Sequence, residues 1–241
     1  MSGLRLLVRA LRACATQALP PAVSHAARWH FLDALGVGLA AASAQVGAPY
    51  RELGRTLAVG GPCTVLGQAV GAAPADAALV NGGLMHSLEF DDTHTGSIIH
   101  GSSVVASAAL AMAQARNSSG AAMLGAYVRG WEALARMGLA APGGFHAQGF
   151  QASSVAGTMA SAWVGAELAG LTEDQAVAAL GIALSQSSGV MEFVSNGSSV
   201  KSLHPGWAAH SGLMAVQLAK AGMTGPETAL DGRWGLFAQF A

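Results

Sequence analysis

Apolar residues recur every three or four positions along most of the chain, which is the period of an amphipathic α-helix. Ser119 is a predicted N-cap, and Thr172 to Gln175 form a predicted capping box. The helix that begins at Val23 is predicted to bury one side in the core. The residues on that side are Ala26, Ala27, His30, Phe31, Ala34, Leu35 and Leu39. The pattern predicts helices from Val23, over Ala75–Leu88, over Ser102–Arg116, from Ser119 through Ala135, over Ala152–Leu168, from Thr172 to about Gln186, and over Trp207–Ala221.

Three segments interrupt the helical pattern. Glycines flank a short Val-containing stretch over 60–67, which predicts a small β-hairpin or an extended excursion. Residues 142–149 and the Gly/Ser-rich residues 195–205 are predicted loops. Strand patterns are otherwise absent, so the predicted fold is all-α: one compact multi-helix domain over residues 1–241. Many small residues on the helix faces favour close, layered packing.

Charged residues make up only 10% of the chain and hydrophobic residues 52%, against a usual charged share of about 25%. So few charges leave apolar patches on the surface, and such patches usually contact a partner. We therefore expect a homodimer, or a chain that continues into another domain. The apolar last residues, 235–241, favour the second alternative, because domains usually end in polar residues.

Several classes of protein are not indicated. The net charge of −1 and the absence of basic clusters argue against nucleic-acid binding. The two cysteines, Cys14 and Cys63, are far apart and suit a reducing, cytoplasmic compartment. The longest apolar stretches are too short to span a membrane. Arg5, Arg9 and Arg12 lie in an N-terminal segment without acidic residues, which predicts either a surface helix or a targeting peptide.

Polar residues concentrate in three loops. The first runs from His86 to His100 and contains the carboxylates Glu89, Asp91 and Asp92, together with three of the eight histidines. Crowded carboxylates raise one another's pKa, and neighbouring histidines act as acid or base near neutral pH. Helix capping is the alternative role for one or two of these carboxylates.

A metal site is the weaker interpretation of the first loop. Its oxygen and nitrogen ligands would come from Asp91, Asp92, His94 and His100. Because HExxH, EF-hand and cysteine-ligand spacings are all missing, we predict no metal. Nucleotide-binding fingerprints and the GxSxG motif of α/β-hydrolases are missing as well.

The other two loops contribute Lys201, His204 and Gln151. Lys201 is one of two lysines and precedes a predicted helix, where a cation and free backbone amides together can hold an anion. A solvated surface lysine is the alternative. His204 either orients Lys201 or packs in the core, and Gln151 either binds a carboxylate or satisfies a helix start.

In these loops the sequence resembles the MmgE/PrpD family, which includes 2-methylcitrate dehydratase, cis-aconitate decarboxylase and iminodisuccinate epimerase. The resemblance covers the chain from about Val23 onwards. It is carried by Asn81-Gly82 through His86, Glu89-Phe90-Asp91-Asp92-Thr93-His94, His100-Gly101, Gly149-Phe150 through Gly157, and Lys201 through Gly206.

The resemblance implies a dimerising helical domain, a smaller α/β lid domain that this chain lacks, and an active site between them without metal or cofactor. It places Glu89, Thr93, His100 and Lys201 at active-site positions, with Asp91 and Asp92 beside them. Two residues depart from the family pattern, which usually has Asp at the position of Glu89 and commonly His at that of Gln151.

The chemistry predicted from these residues is proton abstraction from a small di- or tricarboxylate. Lys201 would hold the substrate carboxylate and stabilise the enolate-like charge. His100 or Glu89 would move the proton, and Thr93 would orient the substrate, with Asp91, Asp92, Gln151 and His204 as further binding residues. Dehydration, decarboxylation and epimerisation remain open, as does an inactive helical dimer.

Overall fold

The computed structural model describes residues 1–241 and consists of helices and connecting turns. Only three isolated β-bridges occur and no strand forms, so the all-α prediction is confirmed. Short 3-10 turns cover Gln45–Gly47, Met191–Ser195 and Ser199–Ser202. The helices are α1 Gly3–Ala15, α2 Pro21–Ser43, α3 Ala48–Leu57, α4 Pro74–Ser87, α5 Ser102–Ala115, α6 Gly120–Ala140, α7 Gly144–Ala147, α8 Ala152–Leu168, α9 Glu173–Leu184, α10 Leu203–Lys220 and α11 Leu236–Phe240.

Helices α4, α5, α8 and α10 form the centre of the core, with α10 packed against both α4 and α8. Their small residues bring the backbones close together. A Cβ atom on Gly82 would lie 2.7 Å from the Cα of Gly206, and one on Gly206 would lie 2.1 Å from the carbonyl oxygen of Leu79. Only glycine fits at this crossing, which fixes the start of α10 against α4.

Two of the predicted helix starts are confirmed in atomic detail. The hydroxyl of Ser119 accepts a hydrogen bond from the backbone N–H of Ala122 and caps α6. The Thr172 hydroxyl and the Gln175 side chain satisfy each other's backbone N–H groups, which completes the capping box of α9. These helix starts are local signals, so the sequence alone identifies them.

The predicted loops are more helical than expected. Residues 142–149 contain α7, and residues 195–205 contain the turn Ser199–Ser202 and the first turn of α10. The prediction that α10 begins at Trp207 was wrong, because Pro205 is tolerated in a first helical turn, where its missing N–H is not needed. Over 60–67, the backbone forms one bridge, Cys63 to Ala72, and no hairpin strand.

The core stripe predicted for α2 is correct only in part. Ala27, Phe31 and Ala34 are buried, but Leu39 is 52% exposed. Trp29 and Leu32, on the same outer side, are 60% and 57% exposed. The helix therefore presents one apolar face to the core and a second to the surroundings.

Helix α1 belongs to the domain. Its apolar residues Leu4, Val8 and Leu11 are buried, and it packs against α6 and α9. The Arg5 guanidinium lies 3.0 Å from both Glu173 and Glu227. These contacts hold the arginine-rich segment as a helix on the surface of the domain.

The apolar residues at the end of the chain also have partners. Leu236 is fully buried, and the Phe240 ring meets the Phe150 ring edge-on at 4.9 Å. No single helix is both long and apolar enough to cross a bilayer; only α2 together with Gln45–Leu57 meets those criteria, across an 87° bend.

Candidate active site

Lys201 and Glu89 meet although they are 112 residues apart in sequence. Glu89 follows the end of α4, and Lys201 lies in the 3-10 turn directly before α10. The packing of α10 against α4 brings both together, and the Lys201 ammonium donates to the Glu89 carboxylate. Both side chains keep access to solvent, with 25% and 50% of their surfaces exposed. An incoming anion can therefore reach the ammonium by displacing Glu89.

The backbone of Glu89 adopts a left-handed conformation, with φ of 56°. Such a conformation is uncommon outside glycine, asparagine and aspartate, and it persists only where surrounding structure enforces it. Here the ion pair with Lys201 holds the side chain. The backbone strain therefore falls on Glu89, one of the predicted site residues.

His100 lies beside this pair, just before α5. Its Nδ1 atom is 3.1 Å from the Thr93 hydroxyl and 3.8 Å from Asp91 Oδ1. Its backbone N–H donates to the Ser153 hydroxyl at 2.7 Å, which ties the loop to the start of α8. The imidazole is 22% exposed, so it can contact a ligand.

A buried pair behind His100 was not assigned from the sequence. His86 and Asp91 have fully buried side chains, and His86 Nδ1 lies 2.9 and 2.8 Å from the two Asp91 oxygens. The His86 and His100 rings are 4.8 Å apart. His86 was noticed as part of the polar cluster, but only the structure gives it a partner. Its position in the last turn of α4 was the one available signal.

The surroundings shift the pKa values of these groups. Burial lowers the pKa of His100, and the charges of His86 and Lys201 oppose its protonation further, while Asp91 and Glu89 act in the opposite direction. Burial alone would raise the pKa of Asp91, but the hydrogen bond and charge of His86 outweigh it, and the pKa is lowered. At neutral pH, His100 is therefore an unprotonated imidazole beside a carboxylate.

Gln151 and His204 bind each other. His204 Nδ1 lies 2.5 Å from Gln151 Oε1, and both residues are buried. Gln151 precedes α8 but makes no capping hydrogen bond, so the helix-start alternative was wrong. Burial and the charges of His86 and Lys201 lower the pKa of His204 to about 4. His204 is in the core, near the ion pair, and its orientation is set by Gln151.

Asp92 has a capping role, as the sequence analysis allowed for one of the carboxylates. Its oxygens accept from the backbone N–H and the hydroxyl of Ser102, at 3.0 and 2.5 Å, and so cap α5. It also lies 2.8 Å from His30. His94 is bonded to Ser97 at 2.7 Å. Neither residue contacts His100 or Lys201 through a hydrogen bond.

A pocket of ≈ 260 Å³ opens at the ion pair. It suits a small acid, since pockets for drug-sized ligands start at about 300 Å³. A larger pocket of ≈ 530 Å³ lies between α1 and α8, but no predicted site residue lines it. The smaller pocket is lined by Val46, Ser87, Glu89, Phe193, Gly197, Ser198, Ser199, Lys201 and Ser202.

Three side chains beside the ion pair carry atoms that could bind a metal ion. Potential donor atoms of His86, Asp91 and His100 lie within 4.8 Å of one another. However, His86 Nδ1 is within hydrogen-bond distance of both Asp91 oxygens, so this nitrogen and the carboxylate are already paired. We interpret the three side chains as a charge network, in which His86 and Asp91 are hydrogen-bonded and His100 Nδ1 lies 3.8 Å from Asp91 Oδ1.

The fold and this site define a class: an all-helical domain in which a lysine–glutamate ion pair and a partly exposed histidine lie beside a buried histidine–aspartate pair. The chain belongs to the MmgE/PrpD family, since residues 6–241 match the MmgE/PrpD N-terminal domain.

Its relatives include cis-aconitate decarboxylases. The chain is 30% identical to that of Aspergillus terreus over 92% of its own length and 46% of the relative's. It is 32% identical to the human enzyme over 87% of its length and 44% of the relative's, and 32% identical to the cis-aconitate decarboxylase-like protein oryM of Aspergillus oryzae over 73% and 38%. The chain thus spans about half the length of the curated relatives it matches.

Proposed function

We propose that this chain is the substrate-binding helical domain of a lyase that acts on a small di- or tricarboxylate. The observation that carries the proposal is the ion pair of Lys201 and Glu89 at one small pocket, with His100 close enough for its pKa to respond to both charges. The relatives that are named as decarboxylases of cis-aconitate support the same class of substrate.

Lys201 holds one substrate carboxylate in this proposal. In the ligand-free protein its ammonium is occupied by Glu89, which stands in for that carboxylate. Ser198 and Ser199 line the same pocket, and a serine hydroxyl can donate a hydrogen bond to a further substrate oxygen. An ammonium fixed beside the reacting carbon also stabilises the negative charge that develops there.

His100 moves the proton. Decarboxylation breaks a carbon–carbon bond, releases CO₂ and leaves an electron pair on carbon, which then takes up a proton. Dehydration and epimerisation begin with the reverse step, removal of a proton from such a carbon. A partly exposed, unprotonated imidazole accepts a proton from carbon, or from solvent before a decarboxylation, and then returns it. Thr93 steadies its Nδ1 atom.

An α/β lid domain is expected to complete the site. The surroundings of the pocket include the exposed apolar residues Phe90, Val194 and Val200, which are 78%, 65% and 44% exposed. Apolar groups around a polar pocket are typical of a surface that another domain covers. Closure would exclude water and strengthen the electrostatic contacts.

The test is turnover of cis-aconitate, followed as loss of substrate and release of CO₂, with citrate and 2-methylcitrate assayed for dehydration. The 241-residue chain is assayed alone and with the polypeptide encoded downstream, with and without a chelator. Binding of cis-aconitate is measured by calorimetry in parallel. We expect binding by the helical chain and chelator-resistant turnover in the complete form.

Each contrary result supports a different alternative. A folded protein that neither binds nor converts any of these acids, in either form, would support the inactive helical dimer. Turnover that disappears with the chelator and returns with a divalent cation would support a metal-dependent lyase.

A further inference from the structure

The buried pair His86–Asp91 has a geometry that fold stability does not explain. His86 Nδ1 lies within 2.9 Å of both Asp91 oxygens. A carboxylate only accepts hydrogen bonds, so Nδ1 carries the hydrogen. The other ring nitrogen, Nε2, is buried without any partner. Because an unpartnered buried polar atom destabilises a fold, an apolar side chain would suit this position better if packing were its only role.

The pair lies directly behind His100. Asp91 Oδ1 is 3.8 Å from His100 Nδ1, and the two imidazole rings are 4.8 Å apart with their planes at 57°. A negative charge beside Nδ1 favours the tautomer of His100 with its hydrogen on Nδ1. The lone pair is then on Nε2, which makes no hydrogen bond within the protein. That nitrogen is free to exchange a proton with a ligand.

We propose that His86 is a positioning residue, which fixes the Asp91 carboxylate so that Asp91 in turn fixes the orientation and tautomer of His100. His86 donates to both carboxylate oxygens and so holds the plane of the group. Asp91 presents its Oδ1 atom to His100, and the Thr93 hydroxyl bonds the same nitrogen at 3.1 Å. The inference rests on the proposed function, because it assigns His100 as the proton-transfer group.

The first experiment uses the unaltered chain. Imidazole ¹⁵N chemical shifts distinguish which ring nitrogen carries the hydrogen. At pH 7.5 we expect a hydrogen on Nδ1 in both His86 and His100. A His100 tautomer with its hydrogen on Nε2 would overturn the proposal, whether or not the protein turns over substrate.

The second experiment compares His86→Phe with His86→Asn. Phenylalanine keeps a ring but cannot donate, whereas the asparagine amide places an N–H close to the position of Nδ1. We expect H86F to lose the single His100 tautomer and to lower kcat by about 10- to 100-fold, as loss of an orienting partner behind a functional histidine does elsewhere. KM should change little, because Lys201 is untouched. H86N should recover most of both properties.

Two outcomes contradict the proposal: kcat of H86F within twofold of the unaltered protein, or H86N as impaired as H86F. Circular dichroism checks that each variant folds. If H86F does not fold, the tautomer measurement on the unaltered chain decides. Failure of the proposed function looks different, since then no acid is converted while the His86–Asp91–His100 hydrogen positions remain as expected.

Discussion

Lys201 and Lys220 are the only lysines in the chain, and they lie just before α10 and at its last residue. This makes them a matched pair. Lys201→Met should weaken cis-aconitate binding by about 10- to 150-fold, since a hydrogen bond to a charged group contributes about 1.5–3 kcal/mol. Lys220→Met should bind normally, because Lys220 is exposed and distant from the pocket.

Calorimetry with both variants checks this prediction. Equal affinities of K201M and the unaltered protein would remove Lys201 from the binding site. Weakening of both variants alike would mean that net charge, and not the position of Lys201, governs anion binding.

His204 links the site to the pH dependence of stability. Its pKa of about 4 lies below the ordinary histidine value of 6.5 because of burial and the charges of His86 and Lys201. Between these values the unfolded chain binds a proton that the folded chain does not. The contribution of unprotonated His204 to the free energy of unfolding is therefore fully present above pH 6.5 and is lost as the pH falls towards 4. At pH 5 the loss is about 2 kcal/mol.

Urea unfolding at pH 7 and pH 5 measures this loss. His204→Asn removes the titrating group, so its free energy of unfolding should fall less between the two pH values than that of the unaltered chain. An equal fall in both proteins would assign the acid sensitivity to other groups, of which His100 is the nearest with a lowered pKa.

At this scale the sequence indicated which residues matter better than what each one does. Glu89 and Lys201 were expected to lie close together, and they form an ion pair whose charges both act on His100. Asp92 was given a binding role but caps α5, and Gln151 was expected to contact substrate or cap a helix but accepts from His204. Side-chain partners 10 to 53 residues apart depend on the final approach of helices, which no local pattern specifies.

The crossing of α4 and α10 determines where Lys201 lies. Gly206→Ala would place a Cβ atom 2.1 Å from the Leu79 carbonyl oxygen. Because this contact is with backbone, the added Cβ atom forces the helices apart, and such overpacking should lower the free energy of unfolding by about 1–3 kcal/mol. It should also weaken anion binding, because it displaces the start of α10. Gly36→Ala is the control, because nothing lies within 4 Å of that position and alanine favours a helix by about 1 kcal/mol.

The free energy of urea unfolding and the affinity for cis-aconitate check both variants. We expect G206A to have a lower free energy of unfolding and a lower affinity for cis-aconitate. G36A should be slightly more stable, with unchanged affinity. A G206A protein as stable as G36A would show that the helix crossing has room to adjust.

Helices were predictable where their signals are local. The ends of α8 match the prediction, and the caps of α6 and α9 were identified from three or four residues each. The start of α10 was misplaced by four residues, at Trp207 instead of Leu203. Pro205 and Gly206 were interpreted as loop residues, although the first tolerates a helical start and the second is required by contact with α4.

At the scale of the whole molecule, one apolar face of α2 does not pack against the core and stays exposed. Trp29, Leu32 and Leu39 are 60%, 57% and 52% exposed along one helix. We expect this face to form the homodimer interface, because exposed apolar patches of this kind usually meet a partner. Leu32→Glu/Leu39→Glu should then convert a dimer into a monomer.

Light scattering coupled to size-exclusion chromatography measures the mass. Leu6→Glu is the control, since Leu6 is 55% exposed but lies on α1. A monomeric unaltered protein, or dissociation by L6E alone, would contradict the α2 interface.

The amino-acid sequence by itself determined the helical fold, the positions of most helices and the three loops in which polar residues are concentrated. These follow from periodicity, caps and the scarcity of charged residues, all of which are local or compositional properties. The tertiary structure alone decided that the Glu89 carboxylate pairs with the Lys201 ammonium and that His86 donates a hydrogen bond to Asp91 behind His100. It also decided that Gln151 accepts a hydrogen bond from His204. The reason is physical: hydrogen bonds and ion pairs need contact within a few ångströms, and only the packing of α4, α8 and α10 brings these segments that close.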